Sequence, residues 1–270
     1  MSKIAINNLT VNYTEKKKSF TALKNVSFSI EEGEFVSVIG SSGCGKSTLL
    51  SILEGINSPT EGEILINGEP VTGTGTDRGV VFQHYSLFPW MTARKNVAFG
   101  IRQVNKTVSR SERYQLADEF LEKVGLGQFK NKYPSQLSGG MQQRVAIARA
   151  LAMDTDILLM DEPFGAIDAK NRTILQELLL ELWEGDGSKE RKTVVFVTHD
   201  IDEAILLSDK IVMMTANPGR VYREIKVPFD RPRNRTQLVQ TKGYNKFRNE
   251  LLAMFYSDIV SKIGGEEVIL

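Results

Sequence analysis

Residues 35–53 read Phe-Val-Ser-Val-Ile-Gly-Ser-Ser-Gly-Cys-Gly-Lys-Ser-Thr-Leu-Leu-Ser-Ile-Leu. A short, largely apolar run, Phe35–Ile39, enters a glycine-rich loop and leaves it into a second apolar run, Lys46–Leu53. That order predicts a buried strand, a tight loop and a helix, the opening unit of a layered α/β fold. Gly40–Ser47 fits G-x-x-x-x-G-K-[ST], in which glycines let backbone N–H groups turn inward around phosphate oxygens. The following helix adds its positive N-terminal end. Lys46 is placed to reach the β- and γ-phosphates of a nucleotide, and Ser47 to ligate Mg²⁺.

The rest of the chain repeats the alternation. Residues 3–39 read as strands: Val26, Phe28 and Ile30 alternate with polar neighbours, and Glu31–Glu34 forms a turn. Gly62–Gly68 and Gly79–Gln83 read as further strands. Ser109–Val124 has helical spacing, with Leu116, Phe120, Leu121 and Val124 on one side, and Gly139–Ala152 reads as another helix. Residues 87–153 are therefore expected to be a helical lobe inserted into a strand–helix core. The core resumes with strand Ile157–Asp161, helix Ala169–Trp183, strand Thr193–Thr198 and strand Lys210–Met214. Such alternation favours parallel pairing. Glu184–Arg191 reads as a surface loop, residues 228–235 as a basic, proline-broken connector, and Thr241–Lys262 as a terminal helix with Phe247, Leu251, Met254 and Phe255 on one face.

Composition bounds the function. A formal net charge of +1 sets up no global field for nucleic acid or an anionic surface, so no nucleic-acid partner is expected. The one cysteine, Cys44, can form no intramolecular disulfide, which fits a reducing compartment. The start of the chain lacks the apolar core of a signal peptide, and no stretch approaches the roughly 18 apolar residues of a spanning helix. The chain is expected to be soluble and cytosolic, with any membrane role borrowed from partners.

Three further motifs follow the phosphate loop. Asp161 and Glu162 end an apolar strand, where an acid holds the Mg²⁺ shell in enzymes with this loop. His199 ends the apolar strand before it in Thr198-His199-Asp200. Between loop and acids stands Leu-Ser-Gly-Gly-Met-Gln-Gln-Arg, residues 137–144. A bare Ser-Gly-Gly reads equally well as a serine-capped helix with a glycine turn. The full motif, in this order, resembles the ATP-binding cassette (ABC) family over roughly residues 1–230. The resemblance implies a P-loop NTPase (RecA-like) α/β core with an antiparallel β subdomain and an inserted helical subdomain, in an ABC domain of residues 1–230. A short helical extension, 231–270, follows.

The resemblance also assigns roles. ATP and Mg²⁺ are the implied cofactors. Gly40, Ser41, Ser42, Gly43, Cys44, Gly45, Lys46, Ser47 and Thr48 hold the nucleotide, and Ser47, Gln83 and Asp161 serve the metal. Glu162 orients and deprotonates the attacking water. His199 contacts the γ-phosphate, and Gln83 also couples the site to the transporter. His84 has no chemical role in the family and reads as structural or interfacial. Ser138, Gly139 and Gly140 cap the nucleotide of a second copy of the chain in a head-to-tail homodimer. Gly165-Ala-Ile-Asp168 resembles the loop lining that interface, with Asp168 among the residues that bind the cofactor. Tyr13 takes the place of an aromatic that stacks on adenine, with Phe20 as the competing candidate.

Tyr133–Gly140 looks more like importers than exporters. The stretches Thr215–Val221 and Pro228–Arg233 resemble the ATPases of nitrate, sulfonate and taurine importers, a group that extends to bicarbonate and thiamine precursors. The implied activity is ATP hydrolysis coupled to import, at the cytoplasmic face of the membrane, with permease subunits and, indirectly, a solute-binding protein as partners. Tyr85–Met91 reads either as packing between the two lobes or as a groove for a membrane subunit's short helix. The rival readings are a non-transport cassette acting in translation or DNA repair and a small-molecule kinase. One cassette, one cysteine and no heptad run stand against the first, and Leu137–Arg144 has no use in the second.

Overall fold

Alternate apolar residues make two long hairpin strands near the start of the chain, β1 (Ser2–Glu15) and β2 (Lys18–Glu31). They pair antiparallel, with Ile4 opposite Ile30, Ile6 opposite Phe28 and Leu9 opposite Val26, all buried. β3 (Phe35–Gly40) is buried throughout and runs into α1 (Lys46–Leu53), which buries Leu49, Leu50, Ile52 and Leu53. β4 (Glu61–Ile66) and β5 (Glu69–Pro70) complete an antiparallel sheet of order β2-β1-β4-β5. The computed structural model describes residues 2–15, 18–83, 86–165, 167–184 and 191–263, with side chains left out at 15, 18 and 257–263. Contacts divide the chain into two units, Met1–Gly73 with Phe196–Leu270, and Thr74–Val195.

The second unit opens with β6 (Arg78–Val81), followed by α2 (Ala93–Val104), α3 (Arg110–Lys123) and α4 (Gly139–Ala152). Thr92, Ser109 and Ser138 cap the three helices, each accepting a backbone N–H of the first turn. α3 buries Ala117 and Leu121, with Val124 just beyond, while Leu116 and Phe120 are half-buried. The buried stripe is therefore centred on a small residue that the apolar pattern passes over. β7 (Ile157–Asp161) pairs parallel with β6, Val80 opposite Leu159, and α5 (Ala169–Glu184) follows.

The dividing point falls within β8 (Thr193–Thr198), an all-buried strand. The chain then returns to the first unit as α6 (Ile201–Leu207), β9 (Lys210–Thr215), β10 (Arg220–Lys226), α7 (Arg235–Gln240) and α8 (Tyr244–Ile263). β9 pairs parallel with β3, Val38 opposite Val212, and antiparallel with β10. Fully burying each such aliphatic side chain stabilises the fold by roughly 1.5–3 kcal/mol. The basic stretch before α7 is tied to its surroundings: Arg231 Nε donates to Asp209 Oδ1 at 2.7 Å, and Arg233 Nη1 to the carbonyl of Ile205 at 3.0 Å. Gly243, with φ 93°, separates α7 from α8, so the terminal helix starts at Tyr244, three residues later than the apolar pattern suggests.

Candidate active site

The first unit carries the phosphate loop at the carboxyl end of β3. Gly43 and Gly45 adopt φ of 78° and 92°, the left-handed region that favours glycine. A Cβ on Gly45 would stand 2.4 Å from Leu23 Cδ2, whereas one on Gly43 would meet nothing within 4 Å. Gly45 is thus pinned by what packs beneath it, and Gly43 faces open space. No side chain caps α1, whose N-cap is Gly45. A bound anion would therefore suit N–H groups of the first turn of α1.

Lys46 is buried, and its Nζ donates to the carbonyls of Gly40 at 2.7 Å and Ser41 at 3.3 Å. Its ammonium lies folded over the loop. Ser42 and Ser47 are exposed, Ser41 and Thr48 half-buried, and Cys44 buried. Burial pushes the Cys44 thiol above its usual range, against the opposing charge of Lys46. These features fit a polyphosphate: a glycine cradle, a bare helix end and a cation, with a free hydroxyl at Ser47.

Gly219 also shapes this loop, and sequence reasoning missed it. Its N–H donates to Ala22 O and its carbonyl accepts from Lys24 N, each at 2.9 Å. A Cβ there would come within 2.3 Å of the Cys44 carbonyl. Asn-Pro-Gly after a strand signals a turn in the sequence, but not that the turn floors the phosphate loop.

Tyr13 and Phe20 are direct cross-strand partners on β1 and β2, 43% and 54% exposed. Opposed residues of an antiparallel pair share a face, so the two candidates for base stacking stand side by side. His199 follows β8 and is exposed. Its turn is fixed by Thr198 Oγ1 donating to Glu203 Oε2 at 2.7 Å and by Asp200 N donating to Thr198 Oγ1 at 3.0 Å. Asp200 then caps α6, accepting from the N–H groups of Asp202 and Glu203.

The second unit carries the acids. β7 buries Ile157–Met160 and presents Asp161 half-buried at its carboxyl end. Glu162 follows with φ 43°. A non-glycine residue there is held against its preference, at roughly 1–3 kcal/mol, and such residues concentrate at functional sites. Gln83 follows β6, is exposed, and its Nε2 donates to Glu162 Oε2 at 3.4 Å. His84, Tyr85 and Ala166 lie outside the described residues.

Ser138 is exposed, and its hydroxyl accepts the Met141 N–H at 3.3 Å. Gly139 and Gly140 open the first turn of α4. Asp168 is exposed and accepts from Asn171 Nδ2 at 2.6 Å and Asn171 N at 3.1 Å, bonds that hold its carboxyl below the usual range. α4 also holds the segment after β6: Gln143 Nε2 donates to Phe82 O at 3.5 Å and the buried Arg149 to Ser86 O at 2.9 Å. Trp90, 69% exposed, leans on Phe88, which in turn packs edge-on against Phe99.

The predicted metal ligands, Ser47, Gln83 and Asp161, are a hydroxyl, an amide and one carboxylate. Among the described residues no cluster of three His, Cys, Asp or Glu side chains stands ready for a metal ion. The donor set suits Mg²⁺, which keeps waters and completes its shell with substrate phosphates rather than a protein cage.

A family model described as "ABC transporter" matches residues 23–165, a span from β2 through the phosphate loop to just past Glu162. The chain belongs to the ABC transporter family. This ABC subunit hydrolyses ATP to power transport, with ATP and Mg²⁺ as its cofactors. It is 48% identical to the nitrate import ATP-binding protein of Synechococcus elongatus, over 88% of this chain and 85% of that one. It is 45% identical to a bicarbonate transport ATP-binding protein of Synechocystis sp., over 94% and 89%. A solved dimeric ATP-binding cassette in a post-hydrolysis state, bound to ADP and Pi, superposes with a TM-score of 0.76 at 40% identity, covering 84% of this chain and all of that one. The P-loop NTPase fold of ABC cassettes is therefore the fold of this chain. No helix among the described residues is long and apolar enough to cross a membrane.

Proposed function

We propose that this chain is the nucleotide-binding subunit of a prokaryotic importer for a small anionic solute of the nitrate, bicarbonate or sulfonate class. The observation that carries the reading is likeness over most of the chain's length to ATPases named for nitrate import and bicarbonate transport. Residues 1–230 form the ATPase domain, with a helical subdomain at about 87–153, and residues 231–270 a C-terminal extension.

The chemistry is phosphoryl transfer to water, in which positioning and electrostatics carry most of the catalysis. The loop N–H groups of residues 41–48 and the end of α1 cradle the phosphates. Lys46 exchanges the carbonyls of Gly40 and Ser41 for phosphate oxygens. Ser47, Gln83 and Asp161 hold Mg²⁺, which when bound neutralises phosphate charge. Glu162 takes a proton from the attacking water, and Gln83, already hydrogen-bonded to that carboxylate, orients it. His199 donates to the γ-phosphate, and Tyr13 with Phe20 supports the base.

Two copies close head-to-tail. In each, Ser138, Gly139, Gly140 and Asp168 face the partner's nucleotide, so Ser138 gives up its bond to Met141 N to reach phosphate. The exposed Trp90 and a groove lined by Met91, Phe99 and Tyr114 receive a permease helix, and the rim of Lys95, Arg102, Arg110 and Arg113 favours an acidic one. The subunit then sits at the cytoplasmic face through its permease, with a solute-binding protein acting from the other side.

The test is a pull-down of tagged Glu162→Gln, trapped with ATP in detergent-solubilised native membranes. Recovery of a multi-spanning permease and a solute-binding protein supports the importer; ribosomal or DNA-repair partners overturn it. Trp90→Ala is expected to keep ATPase activity in solution and lose transport, and unimpaired transport removes that groove from its role.

A further inference from the structure

The C-terminal extension reaches back to the turn that carries His199. Asp202, in the first turn of α6, is three residues past His199. From α8, Tyr244 OH donates to Asp202 Oδ1 at 2.7 Å, and Arg248 donates to both oxygens, Nε at 2.6 Å and Nη2 at 3.0 Å. A fork-to-carboxylate pair fixes direction as well as distance, and the phenol adds a third anchor. Burial alone would raise the Asp202 carboxyl, but the Arg248 and Tyr244 bonds outweigh it and hold it below its usual range. Tyr244 itself is buried, tilted against Phe229, while Phe247, one turn on, meets the same ring edge-on. Tyr244 is thus seated in apolar packing, while the Arg248–Asp202 pair beside it is half-exposed.

α6 is short, and its N-terminus is the turn Thr198–Asp200 itself. Whatever sets the axis of α6 therefore sets where His199 stands. We propose that α8 acts through Tyr244 and Arg248 on Asp202 as a positioning clamp for His199 in ATP hydrolysis. The inference rests on His199 serving the γ-phosphate. It gives residues 231–270 a role in turnover rather than in packing alone.

Steady-state ATPase kinetics of the full chain test this, below the melting temperature of each variant. Tyr244→Phe and Arg248→Gln are expected to lower kcat about threefold to tenfold each, as loss of a positioning bond does, with KM for ATP changed less than about twofold. Arg248→Lys restores part of the loss. Asp202→Asn with Arg248→Gln is no slower than the slower single variant, because both remove one contact. Folded single variants with normal kcat overturn the clamp while His199→Ala is inactive. Normal turnover in His199→Ala overturns the histidine's role and the clamp with it. A fall in melting temperature with kcat intact shows α8 to be packing only.

Discussion

Glu162 occupies left-handed backbone, φ 43°, in hydrogen-bond contact with Gln83. In the base role proposed above, Glu162→Gln keeps the shape and loses the proton acceptor. It is expected to cut turnover by about 10²–10⁴, the usual worth of a general base, with ATP affinity, read by nucleotide fluorescence titration, nearly unchanged. In the phosphate loop, the two left-handed glycines differ in what surrounds them. Gly43→Ala meets only the backbone preference, about 1–2 kcal/mol; Gly45→Ala adds collision with Leu23, at roughly 1–3 kcal/mol more. Urea midpoints of the two variants check that order. Cys44 gives a pH signature. Its folded thiol titrates above the unfolded value, so its contribution is full below about pH 8.5 and fades as pH rises past it. Wild type should therefore lose more stability between pH 7 and 9.5 than Cys44→Ala does, measured as the shift in urea midpoint.

At the scale of elements, apolar runs and their punctuation were legible wherever the run is buried on all sides. The strand–loop–helix of 35–53 and the strands ending at Asp161 and Thr198 follow the sequence reading to within a residue. What the pattern hides are long-range polar anchors. Asn96 in α2 is fully buried; its side chain accepts Phe88 N at 2.8 Å and donates to the carbonyls of Phe88, Met91 and Thr92. It organises the segment after Gln83, yet one asparagine in a helix carries no periodic signal. Asn96→Leu, which leaves those backbone groups unsatisfied, should cost about 2–3 kcal/mol by denaturant unfolding. Gly219 and the Asp202 anchors on α8 escaped notice for the same reason: their partners lie far away in sequence. Asp161, Glu162 and His199 could be proposed from the sequence because each ends or directly follows an apolar strand, and Lys46 because it closes the glycine-rich loop.

For the whole molecule, the exposed Ser138 and Asp168 make a prediction about assembly. Glu162→Gln with ATP and Mg²⁺ should elute at twice its monomer mass in size-exclusion chromatography. Ser138→Arg in the same background should bind ATP but remain monomeric; a dimer in that variant would remove Ser138 from the interface. Tyr13 and Phe20, opposed on their hairpin, carry a different consequence. Aromatic faces attract any flat base by stacking, and they read none of its edge groups. An engine that grips its fuel by such a face and by the phosphates should run on GTP or ITP nearly as readily as on ATP. With the stacking proposed above, the choice of fuel would be left to the cell's nucleotide concentrations rather than to the protein.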